Sequence, residues 1–228
     1  MEKARIAFLP LTSCYGCQVN TLDLGEEVLR IAEFFTISKF SLLGLENSEQ
    51  GYDILIVEGM VSKDDEDFLK ELASYAHRVV ALGSCASFAW LNWEEFKPVP
   101  EVIEKADILP GCPYVKEELR AYLISCLRGT EFSLPQKNVC VEHILRGGRC
   151  VMLEGGFCMG PVTRAGCGAL CLLSGGTCWG CRGLYEDANI KAHVKRLLSK
   201  YPKDLIIEWY KRLGRKAYEE VMRICQDG

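Results

Sequence analysis

No stretch of this 228-residue chain approaches the roughly eighteen consecutive apolar residues that a membrane-spanning helix needs, so no membrane span is expected. Basic charge is also short. Lys and Arg number 27 against 31 Asp and Glu, a net charge of -4 that leaves no basic footprint for nucleic acid. The opening MEKARIAFLPLTSC sets two basic residues before a short apolar run, but Pro10, Thr12 and Ser13 interrupt it and no small-residue cleavage site follows. No secretory leader is therefore expected, and the expected location is cytoplasmic, in a reducing compartment.

Cysteine, by contrast, is abundant. The chain has 13 cysteines, and seven of them fall within 140–181, interleaved with glycine. That stretch shows neither helical nor strand periodicity, so side-chain burial alone cannot offset the entropy of ordering it. Thiols in such number point to zinc, iron–sulfur clusters or disulfides. In a reducing compartment grouped thiols more often bind metal, disulfide-rich thermophiles being the exception.

The first half of the chain alternates between short apolar runs and amphipathic segments. Strands are expected over 6–11, 35–43, 52–59, 78–82 and 107–109, and helices over 19–34, 63–75 (capped by Ser62) and 115–127. Strands alternating with helices predict an α/β, mostly parallel, doubly wound sheet. In such a sheet the loops that follow the strands gather along one rim, where ligands bind. Cys14 and Cys17 follow the first strand, Cys85 the fourth and Cys112 the fifth, so four thiols are expected to meet there. Each of these exits also carries glycine (Gly16, Gly83, Gly111), which lets a bulky group come close. Cys85 and Cys112 as small buried hydrophobes remain an alternative.

Spacing divides the second half. Cys167, Cys171, Cys178 and Cys181 form C-x3-C-x6-C-x2-C, a compact set of four. Cys140, Cys150 and Cys158 remain upstream, with His143 three positions after Cys140. Counting His143 gives three sets of four donors and leaves over Cys126 and Cys225, both in helical patterns. Zinc suits tetrahedral sites of this kind. Three thiolate sites with no catalytic-looking histidine, serine or paired acid among them suit an electron relay better.

The joint occurrence of TSCYGCQ, Glu58-Gly59 after the third strand, GSCA, PGCP, CMGPVTRAGCGALC and CWGCRG resembles the small subunit of nickel–iron hydrogenases. The likeness covers about 5–185. It is to the delta-type subunit of the cytoplasmic enzymes, those of archaeal sulfhydrogenases and of methanogen hydrogenases serving heterodisulfide reductase. It implies a flavodoxin-like domain over 1–130 with a proximal 4Fe–4S cluster on Cys14, Cys17, Cys85 and Cys112. A mostly irregular and helical domain over 131–228 is implied to hold a medial cluster on Cys167, Cys171, Cys178 and Cys181. A distal cluster is implied on Cys140, His143, Cys150 and Cys158. Cytoplasmic relatives commonly have cysteine where this chain has His143, whereas periplasmic ones use one histidine at the distal cluster. The fourth thiol, Cys171, implies 4Fe–4S at the medial site, where other relatives have 3Fe–4S. The resemblance further implies a large subunit holding the nickel–iron centre, and a flavin or iron–sulfur partner that exchanges electrons with the distal end.

Glu58 resembles an acid that the family keeps near the proximal cluster. His77 and His193 read as solvated groups, and Trp90, Trp93 and Phe96 read either as part of the large-subunit interface or as local packing. The segment 188–225 reads as two amphipathic helices split at Tyr201-Pro202. Two other classes stay open. One is the cluster-bearing subunit of respiratory NADH dehydrogenase, which normally has adjacent cysteines where this chain has C-x2-C and lacks the second half. The other is a zinc-stabilised structural module.

Overall fold

A computed structural model describes residues 3–23, 25–46, 51–90 and 93–226. The chain forms two compact units, one within 1–130 and the other built from 131–228 together with Trp90. The first unit carries strands β1 (Ala4–Pro10), β2 (Phe35–Phe40), β3 (Leu45–Glu46), β4 (Tyr52–Glu58), β5 (Ala76–Leu82) and β6 (Asp107–Leu109) in the order β3-β2-β1-β4-β5-β6. All neighbouring strands are parallel except β3, a two-residue antiparallel edge on β2. The five parallel strands thus have the flavodoxin-like order, with the topological switch between β1 and β4.

Side chains alternate across the sheet, and both faces are buried. Ala7, Leu9, Leu55, Val57, Val79 and Ala81 share one core cluster with Leu69 of α3 (Glu66–Ser74) and Val99 of α5 (Val99–Val102). Ile6, Phe8, Ile54, Ile56, Val80 and Leu82 are buried at the alternate positions, where Phe8 stacks on Phe40 with ring centroids 4.4 Å apart. Helices α2 (Glu26–Phe34) and α6 (Lys116–Arg128) border a common apolar groove beside Phe35.

Several local expectations change. The helix read across 19–34 is two, α1 (Gly16–Leu22) and α2, because the chain breaks at Asp23 and at Gly25, whose φ is +59°. Ser62 does not cap α3 directly. Its hydroxyl donates to Asp65 Oδ2 at 2.6 Å and closes the turn before the helix. The GSCAS segment after β5 is itself helical, as α4 (Gly83–Phe88).

In the second unit the cysteine-rich stretch is mostly turns, with two short helices, α7 (Val139–Leu145) and α8 (Leu170–Leu173). It orders by packing on helices α9 (Ile190–Leu198), α10 (Lys203–Lys211) and α11 (Arg215–Gln226). Met152, Cys158, Met159, Val162, Leu172 and Cys178 share one core with Val194, Ile206, Tyr210 and Val221, and Trp90 packs against it. The C-terminal segment therefore holds three helices, with a second break at Gly214, whose φ is +96°.

His193 is not solvated. It is buried on α9, its Nδ1 lying 2.6 Å from Tyr210 Oη and its Nε2 3.0 Å from the Cys158 carbonyl. A carbonyl can only accept, so Nε2 carries the proton and Nδ1 accepts from the tyrosine hydroxyl. Burial pushes the imidazole down to about 4. His77, in contrast, is exposed and pairs with Asp53 at 3.0 Å.

A histidine held neutral in the fold but free to ionise when unfolded contributes stability above the unfolded value of 6.5, lost as pH falls through about 4. Acidification from pH 7 to 4.5 should cost the wild type about 2–3 kcal/mol more than the His193→Gln variant, measured by denaturant unfolding followed by circular dichroism. Equal losses would show that His193 does not sense acid.

Candidate metal centres

The carboxyl ends of β1, β4, β5 and β6 lie in register, Pro10 opposite Glu58, Glu58 opposite Leu82 and Leu82 opposite Leu109. The segments carrying Cys14, Cys17, Cys85 and Cys112 leave from this aligned rim. Helix α1 starts at the rim with Tyr15 at its N-cap, which supplies no side-chain cap. The cap comes from β4. The Cys17 N–H donates to Glu58 Oε1 at 3.1 Å and the Gln18 N–H to Oε2 at 3.0 Å, satisfying two of the first-turn donors with a buried carboxylate. Burial raises the Glu58 carboxyl above its usual range, and these two amides oppose it.

The other thiol loops are tied to each other and to α1. Ser84 N–H donates to the Gly111 carbonyl at 3.0 Å and Gly111 N–H returns to Ser84 Oγ at 3.2 Å, setting the Cys85 and Cys112 loops side by side. Asn20 Nδ2 donates to the Tyr114 carbonyl at 3.1 Å, and the hydroxyls of Thr21 and Tyr114 lie 2.8 Å apart. Burial pushes the Cys17 thiol up to about 12, with Glu58, Cys85 and Cys112 adding to the effect. Burial likewise pushes Cys85 up to about 11, with Cys112, Cys14 and Glu58 contributing, and it raises Cys112, with Cys14 contributing. Each of the four thiols is thus within electrostatic reach of at least two of the others. Cys14 and Cys112 face solvent. Gly83, with φ +85°, adjoins the group: a Cβ there would collide with Cys17 Sγ.

In the second unit Asn138 caps α7, its Oδ1 accepting from Val141 N–H at 3.3 Å. The helix sets Cys140 and His143 one turn apart on one face. Both line a single cavity with Cys150 and Cys158, among Ile144, Val151, Met152, Pro161 and Leu172. A Cβ on Gly160 would lie 3.3 Å from Cys158 Sγ and 3.4 Å from Cys140 Sγ, so these two sulfurs flank one point. Burial pushes the Cys140 thiol up to about 11, with Cys158 and Cys150 adding.

The remaining four are gathered less completely. Cys178 is buried and its thiol is raised by burial, with Cys158 and Cys181 contributing. Cys167 is raised by burial and also feels Glu142 and the opposing charge of Arg182. Cys171 is exposed on α8. Cys126 lines a cavity with Asp53, His77 and Arg78 at the opposite end of the sheet, and Cys225 is buried on α11.

Arg182 escaped sequence reasoning. It is among the largest fully buried side chains in the molecule, and its Nε donates to the Ala165 carbonyl at 2.9 Å. It lies within electrostatic reach of the Cys167 thiol, whose ionised form it favours, and its place directly after Cys181 was the available signal. With the cavity lined by three thiols and an imidazole, the residues present fit iron–sulfur groups. Among the described residues, no three His, Cys, Asp or Glu side chains converge tightly enough for one mononuclear ion.

Comparison with known proteins resolves the family. The profile of the family described as NADH ubiquinone oxidoreductase, 20 Kd subunit, matches residues 14–126. The sulfhydrogenase 2 subunit delta of Pyrococcus furiosus is 30% identical over 235 residues, an alignment covering 92% of this chain and 99% of that protein. The chain belongs to the small subunits of nickel–iron hydrogenases. A vhu-type F420-non-reducing hydrogenase component from Methanococcus voltae is 25% identical over 241 residues, covering 82% of this chain and 84% of its own. The actinobacterial-type NiFe-hydrogenase from Ralstonia eutropha H16 shares the fold, with a TM-score of 0.66 at 17% identity over 83% of this chain and 81% of that one. As a hydrogenase small subunit the chain is part of an oxidoreductase, and among the described residues no helix is long and apolar enough to cross a membrane.

Replacing Gly83 with alanine forces a methyl against Cys17 Sγ in a backbone conformation that alanine resists. Gly83→Ala should cut the iron content of the purified subunit by about four atoms, the complement of one 4Fe–4S group, measured by plasma emission spectrometry. Unchanged iron would dissociate this glycine and this thiol from metal binding.

Proposed function

We propose that this chain is the electron relay of its hydrogenase, carrying electrons between a large subunit that holds the nickel–iron centre and a partner that holds flavin or further iron–sulfur centres. The convergence of Cys14, Cys17, Cys85 and Cys112 from three register-aligned strand exits carries the reading. These four are assigned to a proximal 4Fe–4S cluster. Cys167, Cys171, Cys178 and Cys181 are assigned to a medial one, and Cys140, His143, Cys150 and Cys158 to a distal one. The proximal domain spans 1–130 and the domain for the other two spans 131–228. Grouped free thiols in this number suit a cytoplasmic location.

Transfer of one electron at a time is the chemistry such clusters supply when bound. The residues of the chain prepare the sites. Burial keeps Cys17, Cys85 and Cys140 protonated when no metal is present, so loading iron releases protons from them. Glu58 fixes the Cys17 backbone through its amide. The charge of Arg182 offsets that of the Cys167 thiolate, and His193 holds the Cys158 carbonyl through Nε2–H. Cys14 and Cys112 face solvent in the isolated chain and call for cover by the large subunit, through an interface above about 2,000 Å² as in permanent complexes.

A zinc module fits less well, because the relatives that the chain matches along most of its length are hydrogenase subunits. The NADH dehydrogenase reading rests on a profile that stops at residue 126, while the hydrogenase relatives extend through the second unit.

The ligand that departs from the cytoplasmic relatives provides the test. A neutral imidazole in place of a thiolate makes a cluster less negative and raises its potential. In redox-titrated electron paramagnetic resonance of the native complex, His143→Cys should keep a 4Fe–4S signal at a lower midpoint potential. His143→Ala should loosen the distal cluster or convert it to 3Fe–4S. If neither variant alters the signal or its potential, His143 is not a ligand.

A further inference from the structure

Glu142 stands on α7 between Cys140 and His143, and its carboxylate reaches the segment that leads into Cys167. Oε1 accepts the Gly166 N–H at 2.9 Å. The carbonyl of that same peptide unit, belonging to Ala165, accepts from Arg182 Nε at 2.9 Å. One peptide group directly before Cys167 is thus held by an anion at its amide and by a buried cation at its carbonyl. Hydrogen bonds with an ionised partner are roughly twice as strong as neutral ones, so the approach to Cys167 is firmly fixed.

Holding the amide does not account for the whole carboxylate. Glu142 Oε2 is shielded from solvent and finds no hydrogen-bond donor among the described residues. A buried carboxylate oxygen without a donor is costly, and a glutamine would accept the same amide without a full charge, so the charge itself calls for a role. Cys167 supplies one. Its thiol feels the Glu142 charge in one direction and the Arg182 charge in the other. An anion beside a thiolate-bound metal group opposes the arrival of an electron and a cation favours it, so the two side chains move a potential in opposite directions.

We propose that Glu142 is a positioning residue for the iron–sulfur cluster on Cys167, fixing the Cys167 segment and lowering that cluster's potential. The proposal rests on the relay reading, which assigns Cys167 to the medial site and the next residue on α7, His143, to the distal one. Two adjacent residues of one helix then act in opposite senses, because an imidazole ligand raises the potential of its own cluster. The step from the medial to the distal site widens, favouring transfer toward the electron-exchanging partner over the return.

The test is a redox titration of the anaerobically purified native complex, followed by electron paramagnetic resonance. The resonance that Cys167→Ser shifts or removes marks the cluster in question. In Glu142→Gln, which keeps an acceptor for the Gly166 amide and lacks the charge, that resonance should titrate at a higher midpoint potential. Iron content, association with the large subunit and the other resonances should be unchanged. Arg182→Gln should move the same resonance to a lower midpoint, and opposite shifts from the two ends of one peptide are not what loosened packing gives. An unshifted midpoint in Glu142→Gln, a shift confined to another resonance, or a rise in both variants would overturn the assignment. Loss of iron from Glu142→Gln would do so too, by showing a purely structural role. If Arg182→Gln fails to assemble, the Glu142→Gln shift decides alone. A Cys167→Ser complex with every resonance unaltered, or an unsubstituted complex without cluster signals, would instead overturn the relay reading.

Discussion

Sulfur ionises reluctantly when it is withdrawn from water, and the more so when other thiols surround it. Burial pushes Cys17 up to about 12 and Cys85 and Cys140 up to about 11, with neighbouring cysteines adding to each. Ionising thiols gathered in this way is costly unless something with positive charge takes their protons' place. The fold of both units is arranged around that constraint. In the first, a doubly wound sheet delivers three loops to one rim. In the second, a helical trio gives a glycine-rich coil the core it lacks.

Counter-charge and hydrogen bonds around the thiols follow the same logic. Arg182 buries a full positive charge beside Cys167. Glu58, an anion among thiols, is tolerated because both of its oxygens accept backbone amides at the start of α1. That arrangement holds Cys17 in place from the far side of the sheet's switch point. His193 does the equivalent for Cys158, with a neutral ring whose two nitrogens are both engaged.

The sheet was legible because its central strands β4 and β5 are nearly continuous apolar runs that end just before Gly59 and Gly83, and the cysteines at the strand exits announced the rim. Less visible were features that depend on what lies across the fold. Nothing near His193 in the chain shows that Tyr210 and the Cys158 carbonyl enclose it, so a lone histidine on an amphipathic helix read as solvated. Arg182 was silent for the same reason. Helix breaks at Asp23 and at Gly214 were missed because apolar periodicity runs past them. The GSCAS helix is too short to have any periodicity.

The central claim is that the grouped donors hold three iron–sulfur clusters and not zinc. Mössbauer spectroscopy of the anaerobically purified, iron-57-enriched complex, combined with acid-labile sulfide and zinc determination, addresses it most directly. The account predicts about twelve cluster irons and about twelve sulfides for each copy of this chain, in three 4Fe–4S environments, with one of them altered by imidazole. Zinc in stoichiometric amount, with no labile sulfide assigned to this chain, would contradict it.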